Sequence, residues 1–135
     1  MDVDEFLKKP LNAYISLNGP SVRPTWFLWE DGAFWISSGP WAKWWQTLDE
    51  DPKVALVVDD FDVATGRVEK VTAKGKGEVH EIDVERAKRL YSRYVGEDES
   101  RWDPMFHEVI HGEGAVLIRI EPEWMKGMDL SYERR

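Results

Sequence analysis

Residues 71 to 80 alternate without a break: Val71, Ala73, Gly75, Gly77 and Val79 share one face of an extended chain, and Thr72, Lys74, Lys76, Glu78 and His80 share the other. A period of two sustained that long commits the segment to a half-buried strand, because a helix would scatter both sets around its axis. Small inward residues, two of them glycine, suit a strand that coils sharply at a barrel corner.

Other segments fit around it. Leu11 to Leu17 alternates, Asn18-Gly19-Pro20-Ser21 turns, and Arg23 to Trp29 runs on before Glu30-Asp31-Gly32 turns again into Ala33 to Ser37. That reads as an antiparallel meander, with Trp26 and Leu28 on one face and Phe27 and Trp29 on the other. Trp41 to Leu48 reads as a short helix and Lys53 to Asp59 as a Val/Leu-rich strand. Asp83 caps a predicted helix over Val84 to Val95, with Gly96 closing it, and Asp103-Pro104 opens another that Gly112 closes. Ala115 to Glu121 is the last predicted strand, and Trp124 to Tyr132 reads as an irregular tail. Arg86, Lys88, Arg89 and Arg93 read as the solvated side of the Val84 to Val95 helix. The expected fold is mainly β with short helices, a closed or partly open antiparallel barrel of six strands in one domain over residues 1–135.

Charge narrows the function classes. Twenty-six acidic and 18 basic residues give a net charge of −8, which opposes binding to nucleic acid or to an anionic membrane surface. No cysteine is present, so disulfides, thiol nucleophiles and cysteine zinc sites are excluded. Met1-Asp2-Val3-Asp4-Glu5 is acidic where a secretory signal is basic, and no long apolar run follows; the expectation is a cytoplasmic, soluble protein. Eight tryptophans remain to be explained, as core, as the wall of a flat-ligand pocket, or as a subunit interface.

An ordered set of segments bears on that question: Arg23-Pro24-Thr25-Trp26-Phe27, Asp31-Gly32, Phe34-Trp35-Ile36-Ser37-Ser38, Lys43, then Leu48-Asp49-Glu50-Asp51-Pro52-Lys53-Val54. The set resembles the signature of the pyridoxamine 5'-phosphate oxidase-like split barrels, in which an Arg-Pro strand, a Ser/Thr-terminated strand, a basic residue opening a helix and an Asp-Pro run follow one another. The resemblance implies a homodimeric split barrel that binds FMN, or the deazaflavin F420, and transfers a hydride or electrons to a small molecule. It departs from the family pattern at Trp41, where a second basic residue is common, and at Thr47, where asparagine is common.

On that reading Ser37, Ser38 and Lys43 hold the cofactor phosphate, just ahead of a helix start where free N–H groups favour an anion. Arg23, Pro24, Thr25, Trp26 and Phe27 supply a strand edge to the ring, and Trp26, Trp35 and Trp44 supply walls. No side chain stands out as a general acid or base. Two alternatives come with it. One is a flavin- or haem-binding barrel without turnover. The other is a zinc hydrolase built on His107-Glu108-Val109-Ile110-His111, which matches His-Glu-x-x-His on a short helix whose last turn would hold His111.

Overall fold

A computed structural model describes residues 1–135. Seven strands form one antiparallel sheet: β1 (Ala13–Leu17), β2 (Ser21–Thr25), β3 (Leu28–Glu30), β4 (Ala33–Ser38), β5 (Lys53–Asp62), β6 (Arg67–Glu81) and β7 (Val116–Asp129). Their order across the sheet is β2-β1-β5-β6-β7-β4-β3. Three α-helices, α1 (Val3–Phe6), α2 (Val84–Val95) and α3 (Pro104–His111), complete it with two short 3₁₀ segments.

The strand order holds the central geometric fact. Strands β2 and β3 are the two outer edges, yet only Trp26 and Phe27 separate them in the chain. Laid flat, six inter-strand gaps would part these edges by about 29 Å. Three residue steps span roughly 11 Å at most. The sheet must therefore coil until its edges nearly meet. No ladder joins β2 to β3, so the wall is closed by covalent chain and stays open in hydrogen bonding. The expectation of six strands is corrected to seven, in one sheet that is coiled but not closed.

Two further expectations change. Arg23 to Trp29 is not one strand, because its two halves belong to opposite edges of the sheet. The tail after Glu121 is not irregular: β7 continues to Asp129, paired with β6 down to Glu69. A bulge makes this possible. Lys74 faces Trp124 while Gly75 faces Pro122, so Glu123 is the extra residue. A proline has no N–H for the ladder, and the bulge absorbs it. Gly75 is obligatory there, since a Cβ would lie 2.2 Å from the Glu121 carbonyl oxygen.

Inside the coil lies an aliphatic core that draws Ile15 from β1, Ile36 from β4, Leu56 from β5, Val71 from β6 and Ile118 from β7. Outside it, a second apolar layer joins Leu28, Trp35 and Leu117 to Leu90 and Tyr91 of α2 and Ile110 of α3. Both helices start where the sequence places them. An Asp83 side-chain oxygen accepts the Arg86 N–H at 3.2 Å, and Asp103 accepts the Met105 N–H at 2.9 Å.

The basic face of α2 is solvated only in part: Arg89 stays exposed, and Arg86, Lys88 and Arg93 are half-buried. Arg86 and Arg89 both grip Glu30, at 2.9 Å and 2.6 Å. Arg93 turns inward, donating to the carbonyls of Leu7 (2.9 Å), Lys9 (2.7 Å) and Phe27. Tyr94 completes the clasp, accepting the Phe27 N–H at 3.0 Å and donating to the Leu11 carbonyl at 2.8 Å. The crossing from one sheet edge to the other is thereby pinned. No helix is long and apolar enough to cross a membrane.

Candidate functional site

The site grows from the seam. On β2, Ser21, Arg23 and Thr25 stand opposite the buried Leu17, Ile15 and Ala13 of β1, so their side chains point into the coil. A cation aimed inward from an edge strand deters edge-to-edge pairing, but it must then find partners indoors. Arg23 finds few. Its Nη2 donates to Ser21 Oγ at 3.0 Å, and its guanidinium lies 5.5 Å above the Trp44 ring. Its Nε is buried without a hydrogen-bond partner, and so is Thr25 Oγ1. Each orphaned group costs about 1–3 kcal/mol. Across the structure only these two side-chain atoms are so placed.

Thr25 also lines a cavity of about 290 Å³ that opens beside the seam. Trp26, Trp44, Ile36, Ser37, Tyr91 and Phe106 line it with Thr25. Trp26 is held by stacking on Tyr94 (4.5 Å between centroids, 3° between planes) and packs against Phe106 at 5.8 Å. The Tyr91 hydroxyl donates to Ser37 Oγ at 3.0 Å. Burial pushes the Tyr91 pKa up, which keeps the phenol a neutral donor. The arrangement suits a flat, largely apolar ligand with a few polar atoms at its rim.

The structure brings together Arg23, Thr25, Trp26, Ser37 and Trp44 of the residues expected from sequence. It does not bring in the rest. Pro24 faces outward on the exposed side of β2. The Phe27 ring is fully buried in the inner core, and its backbone N–H and C=O are taken by Tyr94 and Arg93. Trp35 lies in the outer layer, its Nε1 donating to the Glu30 carbonyl at 2.9 Å and its ring covered by Arg86 at 3.9 Å. Ser38 is buried at the end of β4. Lys43 is exposed, and it precedes a 3₁₀ segment, Trp44–Asp49, instead of sitting inside the first turn of an α-helix. The bulky Trp44-Trp45 pair and the capture of the Gly39 carbonyl by Trp45 Nε1 (3.0 Å) keep this stretch from settling into a regular helix. Ser37 to Gly39 therefore do not abut a helix start.

Tyr91, Met105, Phe106 and Val109 line the cavity although sequence reasoning missed them. In the sequence they are apolar positions of the two predicted helices, with no pattern that marks a cavity wall. His107 is committed elsewhere: its Nε2 is 2.9 Å from the Glu99 carbonyl, and its ring stacks on Trp102 at 5.3 Å. No three metal-ligating side chains converge anywhere, so His107-Glu108-x-x-His111 lacks a third protein ligand.

A coiled antiparallel sheet with a seam, a two-residue crossover and helices over one outer face defines the split-barrel class. Residues 3–129 match the family described as pyridoxamine 5'-phosphate oxidase, and the chain belongs to that family. Among curated proteins, none matches in sequence closely enough to count as a relative. Solved structures share the fold. A conserved hypothetical protein of Mycobacterium tuberculosis is 20% identical, with 96% of this chain and 85% of that one covered and a TM-score of 0.75. The haem storage protein HutZ of Vibrio cholerae is 14% identical, with 94% and 91% covered and a TM-score of 0.70. An F420 reductase is 17% identical, with 93% and 97% covered and a TM-score of 0.64.

Proposed function

We propose that the protein binds a flavin, FMN or the deazaflavin F420, at the seam and serves as an oxidoreductase toward a small molecule. The observation that carries this reading is the pair of orphaned atoms, Arg23 Nε and Thr25 Oγ1, beside an aromatic cavity. A ring system with carbonyl and imide groups on its edge would satisfy both, and Trp44 and Trp26 would flank its faces. The residues fit the group. Bound there, the flavin supplies hydride or electron transfer; this chain's side chains orient the ring and shield it from water. Lys43, exposed and next in sequence to Trp44 of the cavity wall, is the cation for the phosphate, with Ser37 of the cavity at the end of the strand before it. No side chain in the cavity is assigned as an acid or base.

The reading includes a homodimer. A cavity of about 290 Å³ stands at the lower limit of the roughly 300–1,000 Å³ of small-molecule sites, which supports a groove shared between two copies. A second copy would complete the groove.

Titration of the purified protein with FMN, F420 and haemin, followed by tryptophan fluorescence and visible absorption, separates the cofactors. Saturable binding of FMN or F420 is expected, and oxidation of a reduced nicotinamide or reduced deazaflavin then marks turnover. Haemin alone binding would replace the reading with a haem-binding barrel. Lys43→Ala is expected to weaken cofactor affinity at least tenfold, about 1.4 kcal/mol. An unchanged Kd would remove Lys43 from the phosphate site, and a monomer by light scattering would remove the shared groove.

A further inference from the structure

A depression of about 530 Å³ lies away from the seam, on the outer face where β1, β5 and β6 meet. Its floor is set by register: Ser16 of β1 stands opposite Ala55 of β5, and Ala55 opposite Lys74 of β6. Two small side chains in a row leave a dip in the sheet surface. Its rim is cationic. Lys53 faces Lys76 directly across the β5–β6 ladder, and Lys74 follows two residues on along the same face.

Like charges placed directly opposite each other in a sheet are destabilising. In a chain of net charge −8, carboxylates to relieve them are plentiful, yet few are used here. Lys76 reaches Glu123 only at 3.9 Å, an exposed and loose pair. Asp51 spends one oxygen on the Lys53 backbone N–H, at 3.1 Å. Lys74 lies over the exposed Trp124 ring at 5.6 Å and, like Lys53, forms no salt bridge. Asn18 adds a neutral amide donor at the end of β1.

We propose that this depression is a second binding site, distinct from the seam, for a small multiply charged anion bearing phosphate or carboxylate groups. Such an anion would sit over Ser16 and Ala55 and relieve the facing Lys53 and Lys76 charges, with Lys74 as the third ammonium. The two chemistries share one demand, at least two negative charges within reach of three ammonium groups.

The test is calorimetric titration of the full chain with pyrophosphate and, separately, with citrate, at ionic strength held constant with sodium chloride. Saturable binding is expected for the wild type, and the tighter of the two probes tells phosphate from carboxylate. The Lys53→Gln/Lys74→Gln/Lys76→Gln variant is expected to lose at least tenfold in affinity. All three lysines are exposed, so the variant should fold, and its circular dichroism and Tm in anion-free buffer verify that. Lys8→Gln, which removes an exposed lysine outside the depression, should bind the anion as the wild type does. Equal affinity of wild type and triple variant would overturn the proposal, as would a wild type that binds neither probe saturably.

Discussion

The two apolar layers of this molecule are built differently, and the contrast shows how a generic barrel acquires a particular site. Within the coil, Ile15, Leu56, Val58, Val71, Ile118 and Ile120 pack with Phe27 and Phe34, and none of these side chains carries a polar atom. Under α2 and α3, aliphatic residues such as Leu28, Leu90 and Ile110 are joined by aromatic ones that are anchored by hydrogen bonds. Trp35 donates to Glu30, Trp102 to the Gly96 carbonyl at 2.6 Å, and Tyr91 to Ser37. Aliphatic packing stabilises in proportion to buried area and is indifferent to direction. Anchored aromatics fix direction, because each hydrogen bond has one geometry. The inner layer thus accounts for most of the stability, and the outer layer places the cavity.

That contrast can be broken most forcefully from the inside. Phe34→Ala, at a fully buried position, should cost about 3–5 kcal/mol in urea unfolding, enough to unfold a marginal domain. A loss under 1 kcal/mol would mean that the inner core is not the main source of stability. Arg93→Met comes next. It keeps the apolar stem but frees three backbone carbonyls, and should cost about 1.5–3 kcal/mol. Hydrogen exchange should also quicken at the Phe27 amide, which the neighbouring Tyr94 holds, while amides of β6 stay protected. Uniform exchange across both regions would show that the clasp does not act locally.

Tyr91→Phe removes a single hydroxyl that touches Ser37 and should cost about 1 kcal/mol by the same unfolding measurement. Cofactor affinity should fall with it if Ser37 needs that orientation. The smallest effect is electrostatic. The hydrogen bond from Arg89, seconded by Arg86, holds the Glu30 carboxyl below the usual carboxylate range despite an opposing desolvation. A carboxylate with a depressed folded pKa binds its proton more weakly in the folded state. Its stabilisation is present above the unfolded value, near pH 4.3, and is lost as pH falls through the folded one. The Tm gap between wild type and Glu30→Gln should therefore be widest near neutrality and close in acid. A gap independent of pH between 7 and 3 would assign the effect to packing.

Local signals were read well because they are self-contained. Asp83 and Asp103 cap α2 and α3 as their types require, and the alternation over 71 to 80 lies within β6, with Val71, Ala73, Gly75 and Gly77 buried. Arg93 was misread for the opposite reason. On a helical wheel it belongs with Arg86 and Arg89, and only the arrival of residues 7 to 9 and of Phe27 from elsewhere makes it a buried donor. Trp124 to Asp129 was misread because Pro122 breaks the pattern, and a bulge cannot be seen without its partner strand. At the cavity, Thr25, Trp26, Ser37 and Trp44 were legible in the sequence, whereas the helical wall of Tyr91, Met105 and Phe106 was not.

By itself the sequence determined a mainly β chain, the capped helices, the absence of cysteine chemistry and the ordered segments that mark the family. Those properties depend on neighbours a few residues away, where period, caps and turns are decided. Only the tertiary structure decided that Thr25 and Leu28 lie on opposite edges of one coiled sheet, and that Arg23 and Thr25 face inward without partners. The physical reason is that a seam is made by strands far apart in the chain. No pattern within a single strand records which edge it will become or what will lie across the gap.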